Sequence, residues 1–172
     1  TTEIYTLSLH DALPIYEQVK PDVISIGKAL SGGMYPVSAV LSSREIMNVF
    51  KHATHGSTYG GNPMACAVSR EALRVLVEEK LAENALVQGA YFMDELRKIR
   101  HPHIDFVRGK GLWIGLVLKK EGPKAMTYCH QLKEQGVLAK DTHDWIIRFA
   151  PPLVITREEV DWAMERIRRV FA

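Results

Sequence analysis

Three stretches carry residue types that can do covalent or anion-binding chemistry. The first is ISIGKALSGGMYP, residues 24–36, which sets Lys28 just past Gly27 at the end of the apolar run Val23 to Ile26. Taken out of water, a lysine amine is more readily neutral, and a neutral amine attacks carbonyl carbon to form a Schiff base. Ser31, Gly32 and Gly33 follow, where bare backbone admits close approach, and then Pro36. The same residues also describe a surface lysine at a strand end, its stem along the protein and its head in water.

The second stretch is HGSTYGGNP, residues 55–63. Ser57 and Thr58 bring hydroxyls and backbone N–H groups, Gly60 and Gly61 let the chain come close, and a helix N-terminus follows at once. That combination suits a phosphate; it equally suits a glycine-rich connection between domains. The third is IRFAPP, residues 147–152, where Arg148 interrupts an apolar strand. An arginine there either faces solvent on the alternate side or grips a carboxylate with its two-pronged fork.

These residues need elements to position them. Lys20-Pro21-Asp22 reads as a turn into a strand over 23–26, and Val37 to Leu41 reads as a second strand. Ser43 caps a helix from Arg44 to about Phe50. After the loop 52–62, Asn62 and Pro63 open a long helix to about Glu79, with Ala65, Val68, Ala72, Val75 and Leu76 at helical spacing. Another helix is expected over 82–99, with a bend near Lys80. Beyond it the pattern gives a strand over 104–107, a turn at Arg108-Gly-Lys-Gly111, a strand over 112–118 and a helix over 124–134 closed by Gly136. Short strands at 137–139 and 145–149 follow, and Thr156 caps a last helix to about Phe171. The part from residue 80 onward therefore reads as a small α/β domain with helices packed on a sheet.

Composition narrows the function classes. The chain has 172 residues, 47% hydrophobic and 24% charged, with a formal net charge of +2. That balance is too mild, and too evenly spread, to argue for a nucleic-acid or membrane-surface partner. Cys66 and Cys129 lie far apart with no metal-ligand spacing, so neither a disulfide framework nor a metal site is expected. No apolar run is long enough to span a membrane. Residues 1–15, TTEIYTLSLHDALPI, carry no motif and match nothing that follows. They read as a non-native segment, or alternatively as a variable first strand.

Taken together, GKALSGGMYPVSAV, HGSTYGGNPMAC, VRGKGLW and IIRFAPPLVI resemble the C-terminal part of the class III, pyridoxal-phosphate-dependent aminotransferases, in the branch that acts on ornithine. The resemblance runs from about Tyr16 to Ala172. It implies the type I pyridoxal-phosphate transferase fold, with residues 16–79 as a partial large domain plus connecting helix and 80–172 as the complete small α/β domain.

It also implies roles. Lys28 matches the lysine that holds pyridoxal 5'-phosphate covalently and moves the proton. Thr58 matches the residue whose hydroxyl binds the cofactor phosphate from the neighbouring subunit of a homodimer, and Ser57 is its weaker neighbour. Arg148 matches the arginine that binds a substrate carboxylate. The implied substrates are ornithine and 2-oxoglutarate, with glutamate-5-semialdehyde and glutamate as products, in the cytoplasm or the mitochondrial matrix.

In this family the acidic partner of the pyridine nitrogen, a phosphate cup and a stacking aromatic precede the matched part, and Asp11 does not match that acid. The chain by itself is therefore expected to be an inactive fragment. The competing readings are a class III enzyme acting on N-acetylornithine or 4-aminobutyrate, and a non-catalytic binding module.

Overall fold

The computed structural model describes residues 21–172. The readings of residues 1–15 and of a turn beginning at Lys20 lie outside them. The described residues divide into two compact units, one running to Glu79 and the other from Lys80 to Ala172.

In the first unit, β1 (Val23–Ile26) pairs antiparallel with β2 (Ala39–Ser42), Ile26 lying opposite Ala39. A single 3₁₀ turn, Lys28–Ser31, follows β1. Helix α1 (Arg44–Met47) is capped by the Ser43 hydroxyl, which accepts from the Ile46 N–H. It stops before the expected Phe50 because its last bonds tighten, Val49 N–H donating to Ile46 and Phe50 N–H to Met47. Helix α2 (Pro63–Glu78) packs against the 3₁₀ turn, burying Ala65, Ser69 and Leu76.

In the second unit, α3 (Leu81–Arg97) precedes β3 (Ile104–Lys110), β4 (Trp113–Leu118), α4 (Ala125–Glu134), β5 (Lys140–Thr142), β6 (Ile146–Phe149) and α5 (Arg157–Val170). The four strands form one antiparallel sheet in the order β3-β4-β6-β5. Side chains alternate along a strand. Ile114, Leu116, Leu118, Ile147 and Phe149 therefore point to one face, where they meet Phe92 and Leu96 of α3, Tyr128 and Leu132 of α4, and Val160, Met164 and Ile167 of α5. All three helices cover that face. Helix α5 starts in a reciprocal cap: the Thr156 hydroxyl accepts from Glu159 N–H at 3.3 Å, and Glu159 accepts from Thr156 N–H at 2.9 Å.

Two sequence expectations are corrected here. Arg108-Gly-Lys-Gly111 is not a turn. Strand β3 continues to Lys110 and the turn is Gly111-Leu112, with Gly111 at φ 51°. Gly109 makes this possible, because a Cβ there would lie 2.5 Å from the Trp113 carbonyl oxygen. Glycine in this strand marks a close backbone approach. Nor do residues 137–139 form a strand. They close α4 instead, with Gly136 N–H donating to Lys133 and Val137 N–H to Leu132, and Val137 is buried.

The two cysteines are free thiols, Cys66 exposed and Cys129 buried. Burial pushes the Cys129 thiol up to about 11. Among the described residues no helix is long and apolar enough to cross a membrane.

The glycine with least room for a side chain in the second unit lies where a helix meets a turn. A Cβ on Gly89 of α3 would lie 2.1 Å from the Gly111 carbonyl oxygen and 2.2 Å from its carbon. Gly→Ala within a helix ordinarily stabilises by about 1 kcal/mol. Here backbone would have to move, so Gly89→Ala is expected to destabilise this chain by at least about 2 kcal/mol, read from its urea midpoint.

A second expectation concerns pH. His101 packs edge-on against Phe171 at 5.3 Å and His103 at 5.1 Å. Burial, and then the neighbouring His103, pushes its pKa below the ordinary imidazole value. A folded-state pKa below the unfolded one contributes stability that is present above the unfolded value and is lost as pH falls. The midpoint should therefore drop as pH falls below about 6.5, and His101→Leu should flatten that slope.

Candidate functional site

Lys28 opens the 3₁₀ turn that β1 runs into, and its side chain is exposed. Its own backbone is at φ 51°, the left-handed region. For a residue with a Cβ this conformation costs roughly 1–2 kcal/mol. The turn is closed by Leu30 N–H to the Gly27 carbonyl at 3.2 Å and Gly32 N–H to the Ala29 carbonyl at 2.9 Å. Gly32 and Gly33 then take φ of 63° and 83°, where glycine carries no such penalty.

Ser31 holds this glycine loop. It is buried, its hydroxyl accepts from Tyr35 N–H at 3.1 Å, and the same hydroxyl donates to the Tyr35 carbonyl. Tyr35 in turn reaches the second motif: its phenolic oxygen accepts from the Asn62 side-chain amide at 3.3 Å. The other end of that amide caps α2, accepting from Met64 N–H at 2.9 Å and from Ala65 N–H at 3.3 Å.

The loop before the cap is organised by its own polar groups. Gly60 N–H donates to the Ser57 hydroxyl at 3.1 Å, Asn62 N–H donates to the Tyr59 carbonyl at 3.2 Å, and Gly61 sits at φ 71°. Ser57, Thr58 and Tyr59 are exposed. The lysine turn and the hydroxyl loop thus belong to one unit and are tied through Tyr35 and Asn62. Sequence reasoning treated Asn62 only as a cap and Ser31 only as part of a flexible loop, and gave Tyr35 no bonding role. The available signal was a serine placed immediately before a Gly-Gly pair that must be held in a left-handed conformation.

Arg148 belongs to the second unit. It lies on β6, opposite Gly115 of β4, on the sheet face that the helices leave uncovered. It is half-buried, and its guanidinium carbon sits 5.1 Å from the ring centre of Trp113. That cation–π contact holds the fork in place without neutralising it.

The donor set fits pyridoxal phosphate chemically. An exposed primary amine at Lys28 suits its aldehyde. The exposed hydroxyls of Ser57 and Thr58, just before the N-terminus of α2, suit the phosphate of such a cofactor.

Comparison with known proteins agrees with that chemistry. The family described as "Aminotransferase class-III" matches residues 12–171. An ornithine aminotransferase of Geobacillus sp. (strain WCH70) is 55% identical over 157 residues, covering 91% of this chain and 39% of the relative. The ornithine aminotransferase 2 of Staphylococcus aureus (strain N315) is 53% identical over 156 residues, with the same coverage. Among solved structures, the ornithine aminotransferase of Toxoplasma gondii, which has partial occupancy of PLP at its active site, superposes with a TM-score of 0.88 at 43% identity; the match covers 98% of this chain and 40% of that one. An acetylornithine aminotransferase from Elizabethkingia anophelis superposes at 0.87 with 46% identity, covering 98% of this chain and 44% of that one. The chain therefore spans about 39% of the length of the curated relatives it matches.

The two ends of the Asn62 amide can be separated by mutation. Asn62→Ala should lower the stability of this chain by about 1 kcal/mol through the lost cap. Asn62→Asp keeps a capping oxygen and should restore most of that, while still losing the donor to Tyr35. Urea midpoints give the first effect, and a shift of the Tyr35 ring signals common to both variants gives the second.

Proposed function

Because the chain belongs to the class-III aminotransferase family, we propose that the whole protein is an ornithine δ-aminotransferase, moving an amino group from ornithine to 2-oxoglutarate in the cytoplasm. The observation that carries this reading is the 55% identity with the Geobacillus ornithine aminotransferase across 91% of this chain.

In this reading Lys28 holds the cofactor through Nζ. Once freed by the substrate amine, the same Nζ would accept a proton from the substrate carbon and would serve as the donor that returns it. Pyridoxal phosphate, when bound, supplies the electron sink that makes that carbon acidic. The left-handed backbone at Lys28 fixes where the amine leaves the chain, so the proton acceptor is positioned by the turn as well as by its own rotamers. Thr58, with Ser57 beside it, donates its hydroxyl to the cofactor phosphate of the neighbouring subunit in a homodimer. Arg148 takes a substrate carboxylate in its fork.

A second reading, N-acetylornithine as amino donor, draws on the likeness to the Elizabethkingia enzyme. The two donors differ in whether the α-amino group carries a charge or an acetyl group, so their kcat/KM ratio in the whole protein separates them.

Under the ornithine reading, kcat/KM with ornithine should exceed that with N-acetylornithine by at least about 10²-fold. Lys28→Ala should abolish transamination and the borohydride-trapped cofactor adduct together, and Thr58→Val should weaken cofactor affinity about tenfold. A preference for N-acetylornithine would select the second reading. An adduct that survives Lys28→Ala would reject the site.

A further inference from the structure

The loop that carries Ser57 and Thr58 has little to hold it. Residues 51–61 are exposed throughout, so apolar burial fixes none of them. A Cβ on Gly56 or Gly61 would meet nothing within 4 Å. The ring contact of His55 with Phe50, at 5.1 Å, joins two exposed residues. Gly60 N–H bonded to the Ser57 hydroxyl and Asn62 N–H bonded to the Tyr59 carbonyl make residues 57–62 one piece. That piece is rooted at Asn62, which is half-buried. Among the described residues, one side-chain hydrogen bond joins this loop to the segment carrying Lys28. It is the Asn62 amide donating to the Tyr35 phenol at 3.3 Å.

Tyr35 stands on a fixed base. The Ser31 hydroxyl bonds both its backbone N–H and its carbonyl, and Ser31 is 1% exposed. Pro36 follows, which narrows the conformations open to residue 35. The 3₁₀ turn packs on α2, and a Cβ on Gly32 would lie 3.5 Å from that of Ala72. From this base the phenol reaches Asn62 through only two side-chain torsions. The constraint therefore runs outward, from the lysine segment through the phenol to Asn62 and on to the hydroxyl loop.

We propose that Tyr35 is a positioning residue for the cofactor phosphate, acting through Asn62 on the loop that presents Ser57 and Thr58. This rests on the reading of Thr58 given above. In that reading the hydroxyl loop serves the neighbouring subunit, whereas the Lys28 turn serves its own. Tyr35 therefore acts across the dimer. The cofactor it steadies is the neighbour's, and the adduct on its own Lys28 depends on the neighbour's copy of the same bond. A hydroxyl already held in place binds phosphate more tightly than a mobile one, because less freedom is lost on binding.

Mixed dimers of the whole protein test this, with Lys28→Ala in one chain so that each dimer forms a single cofactor adduct. With Tyr35→Phe placed in the Lys28→Ala chain, the surviving adduct faces the altered loop. Its dissociation constant for pyridoxal 5'-phosphate should then rise about fivefold, the worth of one neutral hydrogen bond. With Tyr35→Phe placed in the chain that keeps Lys28, the constant should change less than twofold. Pyridoxal, which has no phosphate, should bind both dimers as it binds the dimer with intact Tyr35, whereas a general loosening of the fold would weaken both cofactors alike. In the unmutated apoprotein, inorganic phosphate should shift the NMR signals of the Thr58 amide and the Tyr35 ring along one titration curve, a measurement that needs no variant. The Tyr35 role is overturned, and the Thr58 reading stands, if Thr58→Val in the Lys28→Ala chain weakens pyridoxal 5'-phosphate binding while Tyr35→Phe there does not. It is likewise overturned if the loss falls on the other placement, if pyridoxal binding drops equally, or if phosphate moves the Thr58 signal alone. If Thr58→Val changes cofactor binding from neither chain, both readings fall.

Discussion

The first unit depends on one side-chain amide. Asn62 spends its oxygen on two N–H groups at the start of α2 and its nitrogen on the Tyr35 phenol. The two segments it joins, one carrying Gly32 and Gly33 and the other Gly60 and Gly61, have large conformational freedom to lose. Neither would keep a defined place from apolar burial, because most of these residues are exposed. The amide converts two loose loops into one arrangement, and it can face only one way while doing so, since exchanging its oxygen and nitrogen would set a donor against both capping N–H groups. Ser31 applies the same economy a few residues away, with one hydroxyl both accepting from and donating to Tyr35.

The second unit positions its groups by a different means. There the strand ladder sets every side chain's neighbour and face, and three helices cover one side of the sheet, burying Ile114, Leu116, Leu118, Ile147 and Phe149. The inner face tolerates no change without backbone cost, as the contact between Gly89 and the Gly111 turn illustrates. The outer face is free of that demand. It can collect cations, an indole and a glycine in register, which no packing argument would have placed there.

How much of this could be read from residue types depends on the range of the interaction involved. Ser43, Asn62 with Pro63, and Thr156 with Glu159 each announced a helix start, because capping is settled within three or four residues. Inward-facing Ile114, Leu116 and Leu118 were equally legible from their apolar run. The reading failed where a distant partner decides. Two glycines in Arg108-Gly-Lys-Gly111 look like a turn by themselves, yet Gly109 serves to let β4 backbone come close. Val137 to Ala139 is apolar enough for a strand, but the first of these residues is taken by the closure of α4, and pairing waits until the polar Lys140. For the same reason Lys28, Ser57, Thr58 and Arg148 stood out by type, whereas nothing local marked the bond that Tyr35 makes. Its significance comes from Asn62, far away in the chain.

Under the proposed function, the left-handed backbone at Lys28 sets stability and chemistry against each other at a single position. Glycine there would relieve the strain and make the fold more secure, while removing the amine. Alanine or arginine would keep the strain and lose the amine's chemistry as well. A lysine in this conformation is therefore the expensive choice for the fold. Selection for stability alone would erode it, and a lineage that had given up the reaction would be expected to drift toward glycine or asparagine at residue 28 before the surrounding turn changed.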